Sequence, residues 1–271
     1  MPGLSVAVID RGHVILTQGY GLADFESNVA ATADTVYRIA SLSKSITATA
    51  AMKLVEAGKL DLDAPIQTYC PGFPKKPWPI TTRELLSHQS GIRDYRNEEE
   101  TVNTKQYSSI KEALTHFASD PLEFEPGTKM KYTSYGYIVL GCVIEGASGT
   151  SYDRYVHQAI FEPAQMPTTR LDDVFAIILH RARGYRITGS GELQNSLLVD
   201  VSNKPPGSGI TSSARDMGNL VAALYSASLV PKAVLDRMFL AGIAGCRKPA
   251  TAAISRVSAV CCISCRNDSL G

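Results

Sequence analysis

The residues best suited to covalent chemistry are Ser41 and Lys44, in the run Ser41-Leu42-Ser43-Lys44. A serine opening a helix has its hydroxyl beside unpaired backbone N–H groups, and a lysine three residues on projects from the same face. An unprotonated amine there can take the hydroxyl proton, provided burial or a neighbouring cation lowers its pKa. The spacing alone is common: a chain of average composition shows S-x-x-K about once, and Ser108-Ser109-Ile110-Lys111 is a second instance. Context separates the two. Ser41 opens the most apolar helical run in the chain, whereas Ser108 is flanked by Lys105, Gln106 and Glu112 and reads as a helix cap.

Tyr132-Thr133-Ser134 is the second candidate group, set between the Glu125-Pro126-Gly127 turn and an apolar helical run. A phenol there can relay a proton while Ser134 donates a hydrogen bond to a substrate; the alternative is a half-buried loop tyrosine. His88 follows a short helix, where bonding to the helix's last carbonyls is favoured over catalysis. The chain has no GxSxG elbow, no HExxH zinc helix and no GxxxxGK[ST] phosphate loop. Lys75-Lys76 and Glu98-Glu99-Glu100 read as solvated loop charges.

The elements that must carry these groups are legible in outline. Leu4–Ile9 and Val14–Leu16 are β-rich runs around Asp10-Arg11-Gly12-His13, which predicts an antiparallel hairpin, with Gly19-Tyr20-Gly21 letting the second strand bend or end. Ser41–Ala57 lacks Gly and Pro and is rich in small and apolar residues, so it reads as a central helix stopped at Gly58. After the proline-dense stretch 71–79, Thr81 caps a short helix with Glu84 closing a capping box. Residues 93–107 are polar and read as a surface loop. Further helices are expected over 108–118, 135–145 and 152–160, a β-like stretch over 182–188, and a last helix opened by Ser212 and running to about Tyr225.

Composition excludes several classes. Lys+Arg number 27 against 26 Asp+Glu, a net charge of +1, so there is no general electrostatic footprint for nucleic acid or an acidic membrane. The densest apolar stretch, Val174–Leu179, is far short of the roughly 18 residues that cross a bilayer. The N-terminus carries no basic n-region or cleavage site, so either the protein stays in the cytoplasm or its leader lies outside this chain; the compartment stays open. Cys70 and Cys142 read as isolated buried thiols. Cys246, Cys261, Cys262 and Cys265 crowd the last 26 residues, where one CxxC pair without a second pair or a nearby His does not make a metal site.

These residues together resemble a family. Val36-Tyr37-Arg38-Ile39-Ala40-Ser41-Leu42-Ser43-Lys44, then a long helix and Glu56–Asp63, resembles the serine hydrolases related to class C β-lactamases, DD-peptidases and penicillin-binding proteins. Leu85–Gly91, Phe124–Gly127, Tyr132–Gly141, Arg181–Tyr185 and Ser212–Asp216 match further family stretches in the right order, covering roughly residues 3–240. The resemblance implies an α+β fold: an antiparallel sheet flanked by helices plus a mostly helical region, with the active site between them. It implies Ser41 as acylated nucleophile, Lys44 as its activating amine, Tyr132 as proton shuttle, Ser134 as substrate-binding residue and the Ser41 N–H as one oxyanion donor. No metal or cofactor is implied, and the substrate would be a small molecule or peptide: a β-lactam, an ester or a D-amino-acid peptide.

The chain departs from that pattern twice. Family members of the class C type carry Asn where Ser134 stands, which shifts the expectation from β-lactam hydrolysis toward esterase or peptidase-like chemistry. The family's third motif, Lys or His, then Ser or Thr, then Gly, is missing; Ile187-Thr188-Gly189 lies in the wrong region. Beyond about residue 242 the sequence loses apolar periodicity and becomes Cys-rich and basic. The expectation is therefore a hydrolase domain over 1–242 that is truncated or frameshifted, a tail over 243–271, an open edge on the N-terminal hairpin, and weakened turnover. The rival class is a binding protein that keeps the fold without the reaction.

Overall fold

In the computed structural model, which describes residues 2–240 and 259–264, strands β1 (Gly3–Asp10) and β2 (His13–Asp24) form the expected hairpin. Its two-residue turn has positive φ at both Arg11 (50°) and Gly12 (82°), the mirror-image turn whose twist matches that of the strands. β2 does not end at Gly19–Gly21. A Cβ at Gly19 would fall 2.2 Å from the Ala31 carbonyl oxygen, so glycine there admits a close crossing of chain. β3 (Val29–Ala30) pairs with β2 at one edge.

The other edge, expected to be open, is covered. β9 (Ala259–Ser264) pairs antiparallel with β1, from Leu4 opposite Ser264 to Ile9 opposite Ala259. Val, Cys and Ile in this run suit an extended strand, and the unpaired N–H and C=O groups of β1 give it a template. The tail is thus tied in part to the domain that precedes it. The rest of the tail, with Cys246 and Cys265, lies outside the described residues.

On one face of this sheet lies α8 (Ala214–Tyr225), burying Ala7 and Ile9 of β1. A second sheet, β4 (Val36–Arg38), β8 (Ile210–Ser213) and β5 (Arg170–Leu171), joins the segment before Ser41 to the segment after Gly207. β6 (Tyr185–Ile187) and β7 (Leu193–Asn195) make a small separate hairpin.

The core gathers around α1 (Ser43–Glu56) and α5 (Ser134–Ser148). Ala48, Ala50 and Ala51 of α1 are wholly buried, as a helix packed on several sides requires. Around this pair stand α2 (Thr82–Leu86), with the expected Thr81–Glu84 capping box, α4 (Ile110–Leu114) and α6 (Tyr152–Val156). α3 (Glu98–Thr101) and α7 (Pro205–Ser208) are single turns, and α9 (Lys232–Leu240) lies past the helix expected to be last. Two caps move by one residue. Ser109 rather than Ser108 caps α4, and Ser213 rather than Ser212 caps α8, since Ser212 lies within β8.

Cys70 and Cys142 are not free thiols: they form a disulfide. α5 is approached closely near this bridge, since a Cβ at Gly146 would fall 1.7 Å from the Tyr69 carbonyl oxygen. Sequence separation hid the pairing, because the two cysteines are 72 positions apart.

Candidate active site

Ser41 is placed by a change of structure within a few residues. β4 is pinned to β8, and Ile39 N–H extends the pairing to the Ile210 carbonyl at 3.1 Å. Ala40 then takes φ of 45°, a left-handed conformation unfavourable for alanine. A single 3-10 turn, Ala40–Leu42, leads into α1. Ser41 therefore precedes the helix instead of opening it, and is exposed, while Lys44 one turn on is only 4 % exposed.

Two side chains meet at the Ser41 hydroxyl. Tyr132 donates its phenolic hydrogen to Ser41 Oγ at 2.7 Å, and Lys44 Nζ approaches the same oxygen at 3.4 Å. Lys44 also donates to Ser134 Oγ at 3.3 Å and to the Gly207 carbonyl at 2.8 Å, with its Nζ 4.7 Å from the Tyr132 ring centre. The start of α5 fixes this side. Thr133 caps the helix by accepting from Gly136 N–H and donates its own hydroxyl to the Arg93 carbonyl at 2.8 Å. All four residues singled out in the sequence are brought together. Ser134 is 6 % exposed, and its hydroxyl accepts from Lys44. The second S-x-x-K makes no such pair: Ser108 donates to Glu112 at 2.9 Å and Lys111 is exposed.

Burial sets the electrostatics. It pushes Lys44 down to about 8, against the opposing pull of Asp94 and with help from the positive charge of Lys204. Burial raises Tyr132, Asp94 raises it further, and the bond to Ser41 acts in the opposite sense. Tyr132 is thus a neutral phenol at neutral pH, able to hold or give a proton.

Asp94, Lys204 and Gly207 belong to the site although sequence reasoning passed over them. Asp94 accepts the Ser134 N–H at 2.9 Å, and its carboxyl is raised by burial while Ser134, Tyr95 and Lys44 pull it down. Lys204 is 7 % exposed, donates to the Thr101 carbonyl at 2.7 Å and is also pushed down to about 8, first by burial and then by Arg38. The stretch 93–107 is consequently no loose surface loop. Arg93, almost buried, pairs with Glu100 at 2.7 Å and Asp120 at 2.6 Å, and Lys204 ties down Thr101. A buried arginine in an otherwise polar run is the one signal that could have marked it, and only its partners reveal the burial. Among the described residues, no cluster of three or more His, Cys, Asp or Glu side chains could hold a metal ion, and no helix is long and apolar enough to cross a membrane.

A serine and a lysine one turn apart at the junction of an antiparallel sheet and a helical core, with a tyrosine on the serine, define the β-lactamase and penicillin-binding-protein fold. The chain matches the Beta-lactamase family over residues 1–249 and belongs to it. It is similar to human serine beta-lactamase-like protein LACTB, mitochondrial, at 33% identity over 299 residues, covering 84% of this chain and 54% of that protein. The chain spans about half the length of the curated LACTB relatives it matches. Among solved structures, the octameric penicillin-binding protein homologue from Pyrococcus abyssi superposes with a TM-score of 0.76 at 30% identity, over 88% of this chain and 56% of that one. The D-amino acid amidase from Ochrobactrum anthropi SV3 complexed with L-phenylalanine amide gives 0.75 at 29% identity, over 88% and 69%.

Proposed function

We propose that this chain is a serine hydrolase that forms an acyl-enzyme on Ser41 from a small amide or ester. The observation that carries the reading is that Lys44 Nζ and Tyr132 Oη both converge on Ser41 Oγ, at 3.4 Å and 2.7 Å. Lys44 in its neutral form takes the hydroxyl proton as Oγ attacks the substrate carbonyl carbon. The Ser41 N–H stabilises the developing oxyanion. Collapse breaks the bond to the leaving amine or alcohol, which receives a proton through Tyr132. Water then attacks the acyl-enzyme by the reverse relay and frees Ser41. Ser134, Asp94 and Gly207 hold the base in place.

The substrate class is an amide or ester of modest size, a D-amino-acid derivative or peptide among them, in line with the amidase likeness. The hydrolase domain spans residues 1–242, with the tail as an appendage docked through β9. The chain contains no Lys/His-Ser/Thr-Gly triplet to supply a second oxyanion N–H. Loss of one such donor typically lowers the rate by about 10²–10³, so turnover is weakened. That same feature favours the second reading, a binding protein that retains the fold. Assays of D-phenylalanine amide, a p-nitrophenyl ester and a chromogenic cephalosporin with wild type and Ser41→Ala separate them. Turnover lost in Ser41→Ala supports the hydrolase; unchanged ligand affinity in both, with no turnover in either, supports the binding protein.

A further inference from the structure

His88 bonds to both chain neighbours of Tyr132. Its carbonyl accepts the Lys131 N–H at 2.9 Å, and its ring Nδ1 accepts the Thr133 N–H at 3.2 Å. The imidazole also lies against the Tyr132 ring, with centroids 4.5 Å apart and planes tilted by 32°. Tyr137 backs the imidazole from within the core, at 5.1 Å, and is itself tied to the Leu86 carbonyl by its hydroxyl at 3.2 Å. His88 reaches this position through a left-handed backbone, φ 58°, just past the end of α2. That conformation is costly for a residue with a side chain. It is the one that lets the main chain face residue 131 while the side chain reaches the amide of residue 133.

From this arrangement we infer that His88 is the positioning residue for Tyr132, holding the phenol on Ser41 by fixing the backbone on both sides of it and one face of its ring. It moves no proton. Nδ1 is occupied by the Thr133 amide and can accept that bond only while unprotonated. Burial and the charge of Lys44 push the imidazole down to about 4, which keeps it neutral. A histidine that merely fills the core would have no reason to bond to residues 131 and 133 and leave 132 between them. The inference rests on the acyl-transfer reading of Ser41 and Tyr132.

The experiment measures the rate of Ser41 labelling by a fluorophosphonate in wild type, His88→Phe, His88→Asn and Tyr132→Phe, and in each position-88 change combined with Tyr132→Phe. Phenylalanine keeps the ring contact and loses the acceptor; asparagine keeps an acceptor and tolerates positive φ. His88→Phe is expected to slow labelling by about 10- to 100-fold, with His88→Asn recovering part of the loss. In the Tyr132→Phe background the position-88 changes should have almost no further effect. Equal losses in both backgrounds, or no loss in wild type, overturn the inference. A second reading of the same proteins, the NMR titration of carbon-labelled Tyr132, needs no activity. His88→Phe should move the phenol midpoint down toward that of a solvated tyrosine, and an unmoved midpoint overturns the positioning role. If His88→Phe fails to fold, His88→Asn carries both measurements. Wild type that resists labelling while its Tyr132 responds to position 88 overturns the hydrolase reading and leaves the positioning role standing.

Discussion

Lys44 is held more closely by Gly207 than by its supposed proton donor: Nζ lies 2.8 Å from the Gly207 carbonyl and 3.4 Å from Ser41 Oγ. The base is tethered by the main chain of α7. Lys204 closes the loop, since its carbonyl accepts the N–H groups of Gly207 and Ser208 at 3.1 and 2.9 Å. A Cβ at residue 207 would sit 3.2 Å from the Ser134 carbonyl oxygen and 3.8 Å from Lys44 Nζ. Gly207→Ala should therefore push α7 and the start of α5 apart by a few tenths of an ångström. Labelling of Ser41 should slow by roughly tenfold or more with the thermal midpoint little changed, and labelling at the wild-type rate would show that the tether is dispensable.

The rate of acylation should rise with pH and level off above the Lys44 midpoint near 8, because only the neutral amine can take the Ser41 proton. Lys204→Met removes a positive charge that disfavours the protonated form of Lys44. The midpoint should then move to higher pH, while Lys204→Arg should leave it near 8. A pH–rate profile of labelling reads both shifts, and a profile in Lys204→Met that moves downward contradicts the electrostatic role given to Lys204.

Burying Lys44 also has a stability signature. Its folded pKa, about 8, lies below the unfolded value of 10.5, so below pH 8 both states are protonated and the full desolvation penalty applies. Between 8 and 10.5 the unfolded state binds more protons, and stability rises with pH. Lys44→Met, which removes the penalty but strands the Gly207 carbonyl, should be more stable than wild type at pH 7 by about 1–3 kcal/mol. The advantage should shrink across pH 8–10.5. Urea unfolding at pH 7 and pH 10 tests this, and a constant difference would argue against a depressed lysine.

The Cys70–Cys142 disulfide closes a long loop between the segment after α1 and the middle of α5. Breaking it should destabilise the fold by about 2–4 kcal/mol without displacing Ser41, Lys44 or Tyr132, which lie on other segments. The Cys70→Ala, Cys142→Ala double variant should therefore melt at lower temperature and still be labelled at Ser41 at 25 °C. Loss of labelling in folded double variant would mean that the bridge shapes the site.

What the sequence made legible is whatever is local. The hairpin, the central helix stopped at Gly58, the Thr81 capping box and the Ser41–Lys44 spacing each depend on residues a few positions apart. Tyr132 and Ser134 stand out between a turn and an apolar helix, but only the family likeness ties them to residue 41, since nothing in their spacing shows that they fold against it. Asp94, Lys204 and Gly207 escaped because each acts through a partner roughly 40 or more residues away, by a main-chain carbonyl or a buried charge that leaves no pattern. The disulfide and the pairing of β9 with β1 are long-range in the same sense. His88 reads from the sequence as a partner of the last carbonyls of α2, whereas its ring bonds to the Thr133 amide, a contact visible only in three dimensions.

The most direct test of the account is the mass of the protein after incubation with a fluorophosphonate at pH 8, followed by peptide mapping, in wild type, Ser41→Ala and Lys44→Met. The account predicts one adduct per chain on the peptide holding Ser41, none in Ser41→Ala, and a rate lowered by about 10²-fold or more in Lys44→Met. An unmodified Ser41 peptide in folded wild-type protein, or equal labelling with and without Lys44, would contradict it.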